Sequence, residues 1–208
     1  MRLAALLLGT ALSLAACSGA AKNGDPDGFF NGRDLSGWEG RRDVWKVENG
    51  EIVGKAAPFA GVEYLVHTRP VEDFRLTLDV KLVDEQGNGG IQFRSEKFEV
   101  TDMKGYQADV GPGAWGMLIE RNGRGPLVEQ GAEDRVKPGQ WNLYEILAVG
   151  GRIQLALNGT KCADYADPRP AKRGLIGLQM AGEVDALEIR FRGLALEANP
   201  EPRLKTAK

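Results

Sequence analysis

The chain has 208 residues, with 27 Lys and Arg against 29 Asp and Glu, a single His and two Cys. A net charge of −2 provides no long-range basic field, which excludes nucleic acid as a partner. No CxxC and no Cys/His cluster occurs, which excludes a structural zinc site, and the length suffices for one buried core without covalent staples.

The N-terminus opens with Met1-Arg2 as a minimal positive region. Leu3 to Leu14 follows as an apolar stretch too short to span a bilayer as a mature helix. It ends in Leu14-Ala15-Ala16-Cys17, which resembles the lipobox of bacterial lipoproteins. Residues 1–16 are therefore expected to be a signal peptide, with Cys17 diacylated and anchoring the chain to a membrane surface. Ser18 rather than Asp after the cysteine points to the outer membrane, and residues 17–27 are small and polar enough for a flexible tether. With Cys17 lipidated, Cys162 has no intramolecular disulfide partner.

From residue 28 the pattern is β. Val44 to Glu48 and Glu51 to Gly54 flank Asn49-Gly50, a strong hairpin signal because both turn positions need positive φ. Asn122-Gly123, Gly150-Gly151 and Asn158-Gly159 repeat the device. Phe74, Leu76, Leu78, Val80 and Leu82 alternate with polar residues, as do Leu187, Ile189 and Phe191, so each of these strands has one buried and one wet face. No segment sustains helical apolar periodicity over three turns. Many short strands with regular turn signals predict an all-β fold, a two-sheet antiparallel sandwich or jelly roll, over residues 28–198. The Pro-containing charged tail, 199–208, is expected to be disordered.

The stretch 88–113 carries the chemistry. NGGIQFRS places Ile91 and Phe93 on one strand face and Gln92 and Arg94 on the other; GYQADV places Gln107 and Asp109 together. If both strands share a sheet, a guanidinium, two amides and a carboxylate converge on one outer face, a set suited to hydroxyl-rich ligands. Arg94 could grip vicinal hydroxyls, hold an enolate, or simply pair with Asp109 or Glu96. Glu145, among Trp141, Leu143 and Leu147, is either a proton-transfer group or one half of a buried ion pair. Glu120 is a further carboxylate, before Asn122-Gly123. Tyr106, Trp115 and Trp141 could stack on sugar rings or fill the core. His67 reads as a structural residue at a sheet edge.

These strings, together with FFNGRDLSGW at 29–38, VWKVENGEIVG at 44–54, GQWNLYEILAVGGRIQLALNG at 139–159 and GLIGLQ at 174–179, resemble the 3-keto-disaccharide hydrolase family, whose members adopt a concanavalin A-like lectin/glucanase sandwich. The resemblance implies an enzyme that cleaves glycosidic bonds in sugars oxidised at C3. A C3 ketone acidifies C2–H, so a base removes that proton, the C1 substituent leaves by β-elimination, and water adds back to give net hydrolysis. The expected catalytic set is Arg94, Asp109 and Glu145. Gln92, Gln107, Tyr106, Trp115, Glu120 and Gln179 are the expected sugar-binding residues, and a divalent cation is a candidate substitute for Arg94 as electrophile. Two departures stand out: the family's Glu and Gln in GYEVQ-like strings are exchanged here to Gln107 and Asp109, a displacement of about 6 to 7 Å along the strand, and Ala181 stands where relatives often carry His. A non-catalytic, lectin-like surface lipoprotein is therefore the second expectation, and a protein-binding envelope component a third.

Overall fold

The computed structural model describes residues 28–99 and 101–207; the expected signal peptide, Cys17 and the tether lie outside them. In chain order the strands are β1 (Trp38–Glu39), β2 (Trp45–Glu48), β3 (Glu51–Ala56), β4 (Phe59–His67), β5 (Phe74–Leu82), β6 (Asn88–Phe98) and β7 (Asp102–Val110). They continue with β8 (Leu118–Arg121), β9 (Gly125–Val128), β10 (Asn142–Val149), β11 (Arg152–Leu157), β12 (Thr160–Ala166), β13 (Leu175–Val184) and β14 (Leu187–Ala198). One single-turn 3-10 helix, Glu133–Arg135, is the only helical element among the described residues.

Two seven-stranded sheets face each other, one in the order β1-β4-β13-β6-β7-β8-β9 and the other β12-β11-β10-β5-β14-β3-β2, with neighbouring strands antiparallel throughout. The chain is an all-β sandwich. Two of the four turns follow the expected chemistry: Asn49 and Gly50 have φ of 51° and 80°, and Asn158 and Gly159 have 49° and 82°, the left-handed pair that a two-residue hairpin needs to match strand twist; at Asn122-Gly123 and Gly150-Gly151 only the first residue, at 53° and 54°, is left-handed.

The core lies between the sheets, where the alternation sends one residue in two inward. Phe74, Leu76, Leu78, Val80 and Leu82 of β5 meet Ile91 and Phe93 of β6, Tyr106 and Ala108 of β7 and Ile176, Leu178 and Met180 of β13. Phe93 sits edge-on to Phe74 at 5.9 Å and stacked on Tyr106 at 5.6 Å. Each such apolar side chain, fully buried, contributes about 1.5–3 kcal/mol.

Two expectations are corrected on the outer face of the second sheet. The tail is not loose. Arg75 Nη2 donates to the carbonyls of Glu201 (3.0 Å) and Arg203 (2.5 Å), and the backbone N–H groups of Lys205 and Thr206 and the Thr206 hydroxyl all donate to the Glu145 carboxylate. Glu145 is thus the anchor of the tail and takes Arg75 Nε at 2.9 Å, the buried-ion-pair alternative. Burial works against its charge, but the Thr206 hydroxyl, the two backbone N–H groups and Arg75 hold the carboxyl below the ordinary glutamate value of 4.5.

Because that carboxyl is more acidic folded than unfolded, its stabilising contribution is present above pH 4.5 and is lost as pH falls through the lower folded-state value. Glu145→Ala leaves Arg75 buried beside a missing partner and is expected to cost about 3–5 kcal/mol in urea denaturation at neutral pH. The 201–207 segment should then become cleavable in limited proteolysis; an uncleaved tail and unchanged midpoint would show that Glu145 does not anchor it.

Candidate functional site

The outer face of the first sheet is built by the same alternation. With Ile176, Leu178 and Met180 inward, β13 turns Gly177, Gln179 and Ala181 outward; β6 presents Gly90 and Gln92, and β7 presents Gly105, Gln107 and Asp109. Register places Gln179, Gly90 and Asp109 in one row and Gly177, Gln92 and Gln107 in the next. Gly90 makes this arrangement feasible: a Cβ there would lie 2.6 Å from Gln107 Nε2, so its absence lets Gln107 reach across to Gln179.

The polar groups form a directed chain. Ser95 Oγ donates to Gln92 Oε1 (2.8 Å), Gln92 Nε2 to Gln107 Oε1 (2.6 Å), and Gln107 Nε2 to both Asp109 Oδ1 (3.0 Å) and Gln179 Oε1 (3.0 Å). Gln179 Nε2 then donates to the Tyr64 hydroxyl (2.6 Å), which donates to Asp102 Oδ1 (2.9 Å). Every donor points the same way, so the chain terminates on two carboxylates. Gln92, Gln107 and Gln179 are at most 1 % exposed. Met103 lies over them: its sulfur would sit 2.6 Å from a Cβ at Gly177. The expectation that these amides meet a ligand directly is corrected, because each is committed to a neighbour beneath that cover.

The two terminal carboxylates differ. Burial opposes the charge of Asp102, but Arg121 (Nε 2.9 Å, Nη2 3.0 Å), Asn122, the Met103 N–H and the Tyr64 hydroxyl hold its carboxyl well below the usual range. Asp109 has no guanidinium bonded to it. Burial dominates and raises its pKa above 3.8, against Gln107, the Val110 N–H, Asn88 and the charge of Arg121. Asp109 opens on a cavity of about 580 Å³, whose lining includes Met117, Ile119, Arg121, Asn122 and Pro126. On the far side of the Asp102–Arg121 pair a second hollow of about 310 Å³ is lined by Tyr64, Asp102, Met103, Glu63, Arg41 and Lys97. A desolvated carboxylate beside a cation, in a cavity of sugar size, can take a proton from carbon and hold the resulting negative charge.

The other expected catalytic groups are elsewhere. Strand β6 carries a bulge between Phe93 and Glu96, with Arg94 at φ 46°, so Arg94 leaves the outer face that strict alternation gave it. Its guanidinium is buried against the opposite sheet's end, bonding the Glu72 (2.8 Å), Gly150 (2.7 Å), Ala171 (3.3 Å) and Ala148 (3.1 Å) carbonyls and Asp73 Oδ1 (2.8 Å). Glu145 lies on the outer face of the other sheet, beneath the tail. Arg94, Asp109 and Glu145 therefore do not line one cavity. Tyr106 and Trp115 are core residues, fully buried; Tyr106 donates to Asp167 and Trp115 stacks on Tyr144 at 6.4 Å. Glu120, by contrast, does line the Asp109 cavity, where it is bound by Arg124, which also holds Asp167. Trp141 carries the Arg192 guanidinium at 4.1 Å and the Lys81 ammonium at 5.1 Å on its ring.

Tyr64, Asp102, Ser95 and Arg121 belong to the site and were not singled out from sequence. Tyr64 was accessible to the alternation argument, since Val62, Tyr64 and Val66 share a face; Asp102 and Arg121 become neighbours only through the pairing of β7 with β8. Ala181 occupies the outward position paired with Asn88. Among the described residues no group of three or more His, Cys, Asp and Glu is placed to hold a metal ion.

The model of the 3-keto-alpha-glucoside-1,2-lyase-like domain matches residues 26–197. The chain belongs to this family. A candidate glycosyl hydrolase from Parabacteroides distasonis ATCC 8503 is similar in structure, with a TM-score of 0.63 over 83% of this chain and 93% of its own at 18% identity. The carbohydrate-binding module CBM66 from Bacillus subtilis gives 0.63 over 78% and 96% at 21% identity, and the VIP36 exoplasmic/lumenal domain in its Ca2+/Man-bound form 0.52 over 81% and 90% at 11%. At such identities the likeness shows the fold. No curated protein sequence matches the chain. Family membership supports a carbohydrate-related role for the chain.

Since the folded state raises the Asp109 pKa, the charged carboxylate costs stability at pH values above the folded-state pKa, and the cost vanishes below 3.8. Asp109→Asn is expected to melt above wild type at pH 8 and level with it near pH ~3. Thermal denaturation at both pH values checks the sign; a variant destabilised equally at both would show that the carboxylate is not desolvated.

Proposed function

We propose that this protein cleaves glycosidic bonds of 3-keto-glycosides, 3-keto-disaccharides among them, at the hollow beside Asp109. The observation that carries the reading is the environment of Asp109: a carboxylate made more basic by burial, opening on a sugar-sized cavity shared with Arg121. In the proposed sequence the Asp109 carboxylate takes the C2 proton, and the C2–H electron pair forms the enolate with the C3 ketone. The enolate collapses, the C1–O bond breaks, and the departing oxygen takes a proton. Water then adds to C1 of the enone while C2 is reprotonated, which balances to hydrolysis.

Arg121 replaces Arg94 as the cation for the enolate oxygen: its bonds to Asp102 use Nε and Nη2, which leaves Nη1 for a ligand. With alanine at 181, the proton that Asp109 has just taken is the nearest one for the leaving oxygen, so one carboxyl serves both transfers. The Gln107 amide fixes Asp109 through Oδ1, and the Asn88 amide also bonds the carboxyl. The expected lipid anchor at Cys17 would hold this activity at the bacterial cell envelope, where a periplasmic or surface glycan is the substrate source.

A second reading, a non-catalytic carbohydrate-binding lipoprotein, is favoured by Ala181 in place of the relatives' His and by the commitment of three glutamines to one another. Incubation with 3-keto-trehalose or a chromogenic 3-keto-glucoside, with and without chelator, separates the two. On the first reading the aglycone is released, Asp109→Asn slows release by about a hundredfold or more, and the acid limb of the pH–rate profile lies above the ordinary aspartate value of 3.8. Saturable binding without release would establish the second, and neither binding nor release would overturn both.

A further inference from the structure

A cavity of about 470 Å³ opens at the end of the sandwich, remote from Asp109, between the close of β4, the turn into β5, the end of β14 and the N-terminal segment. Its inner wall is apolar, with Phe29, Val71, Phe74 and Leu196. His67, the only histidine of the chain, is 3% exposed and held between Phe29 (centroids 4.5 Å) and the edge of Trp38 (4.9 Å). The Arg69 backbone N–H is aimed at His67 Nδ1 at 3.2 Å, and the Arg69 carbonyl lies 3.3 Å from the same atom. A backbone hydrogen cannot turn away, so Nδ1 accepts and the ring carries its proton on Nε2. Nε2 has no hydrogen-bond partner among the described residues. Gly37 lies against it: a Cβ at Gly37 would be 3.6 Å from Nε2.

The charges at the mouth are unequal. Arg173 is paired with Glu72 at 3.3 Å, and Asp73 accepts from Arg94 and the Gly150 N–H. The Arg69 guanidinium makes no ion pair or hydrogen bond among the described residues, yet its charge is felt by His67, where it adds to burial in keeping the imidazole neutral. An N–H donor without a protein acceptor, on a buried ring at the cavity wall, next to an unpaired cation and above an aromatic and aliphatic wall, is the complement of an anion with an apolar body.

We propose that this cavity is a second ligand site, for an amphipathic monocarboxylate. The carboxylate accepts from His67 Nε2 and Arg69 at the mouth, and the apolar body lies along Phe29, Phe74 and Leu196. The volume falls in the range of small-molecule sites, about 300–1,000 Å³. The proposal does not depend on the reaction assigned to Asp109.

A single histidine gives a single imidazole signal, so the test is direct. Octanoate and benzoate are titrated into the purified full-length chain while the His67 ring resonances are followed by NMR, with octanol and benzyl alcohol as neutral counterparts. The expected result is a saturable shift for the acids, half-complete below about 1 mM, weakened about tenfold or more in Arg69→Gln and absent for the alcohols. Circular dichroism confirms that Arg69→Gln is folded. The proposal is overturned if the acids leave the ring unshifted at ~10 mM, if acids and alcohols act alike, or if folded Arg69→Gln binds as wild type.

Discussion

Strand β6 serves two masters, and Arg94 is where it changes from one to the other. Up to Phe93 the strand alternates regularly, which turns Gln92 out to the polar chain and Ile91 and Phe93 into the core. At Arg94 the backbone enters the left-handed region, at φ 46°, and one residue is inserted against β7. The guanidinium swings to the end of the sandwich and collects four carbonyls and one carboxylate from the end of β10 and the loops beside it. A single cation thereby ties the loops around residues 72–73, 148–150 and 171 of both sheets together. Ser95, the next residue, is delivered back to Gln92 and starts the donor chain. A positive φ at a non-glycine residue is costly, and the five acceptors are what over-determine it.

From Ser95 onward the outer face is ordered by direction as much as by proximity. A glutamine amide has one acceptor and two donor positions, so a row of amides can be polarised toward one end. Here both ends of the polarisation are carboxylates, and they are treated oppositely: Asp102 gets Arg121 and becomes strongly acidic, while Asp109 gets an amide and a backbone N–H and stays basic. On the proposed reaction, environments that push two like groups apart in this way separate a structural charge from a chemical one. The Asp102–Arg121 pair holds the cation in place; Asp109 borders the open space.

Much of this was legible in the amino-acid order. The Asn-Gly turns, the alternation in 74–82 and 187–191, and the shared face of Gln92, Gln107 and Asp109 all follow from backbone conformational preference and a period of two, which are local properties. Gln179 was found through the family resemblance and joins the same face. Arg94 was misplaced because a bulge is invisible to a period-two argument: nothing in Phe93-Arg94-Ser95 marks the inserted residue. Glu145 was left open between two roles because its partner, Arg75, is 70 residues away, and the tail that Glu145 holds contains no apolar pattern to announce docking. Tyr106 and Trp115 share composition with sugar-stacking aromatics and differ from them only in which face they occupy. For Tyr106 the alternation already gave the answer, since it has the parity of Ala108 and Val110; for Trp115, in a loop, no parity exists.

The exchange of acid and amide along β7 now has a structural meaning. Position 107 is at most 1% exposed, and a carboxylate there would face Gln92 Nε2 and the neighbouring amides with no cavity to act on. Position 109 is the one that meets open space: Asp109 borders the cavity together with Gly113 and Ala114 of the turn that follows β7. Gln179, two residues before Ala181, still accepts from the same Gln107 amide that steadies Asp109, so the amide row keeps its polarisation toward the carboxylate with no imidazole present. On the proposed reaction, a carboxylate placed by amides rather than by a charged partner keeps its proton affinity high, which suits removal of a weakly acidic C–H better than a carboxylate neutralised by a bonded guanidinium would.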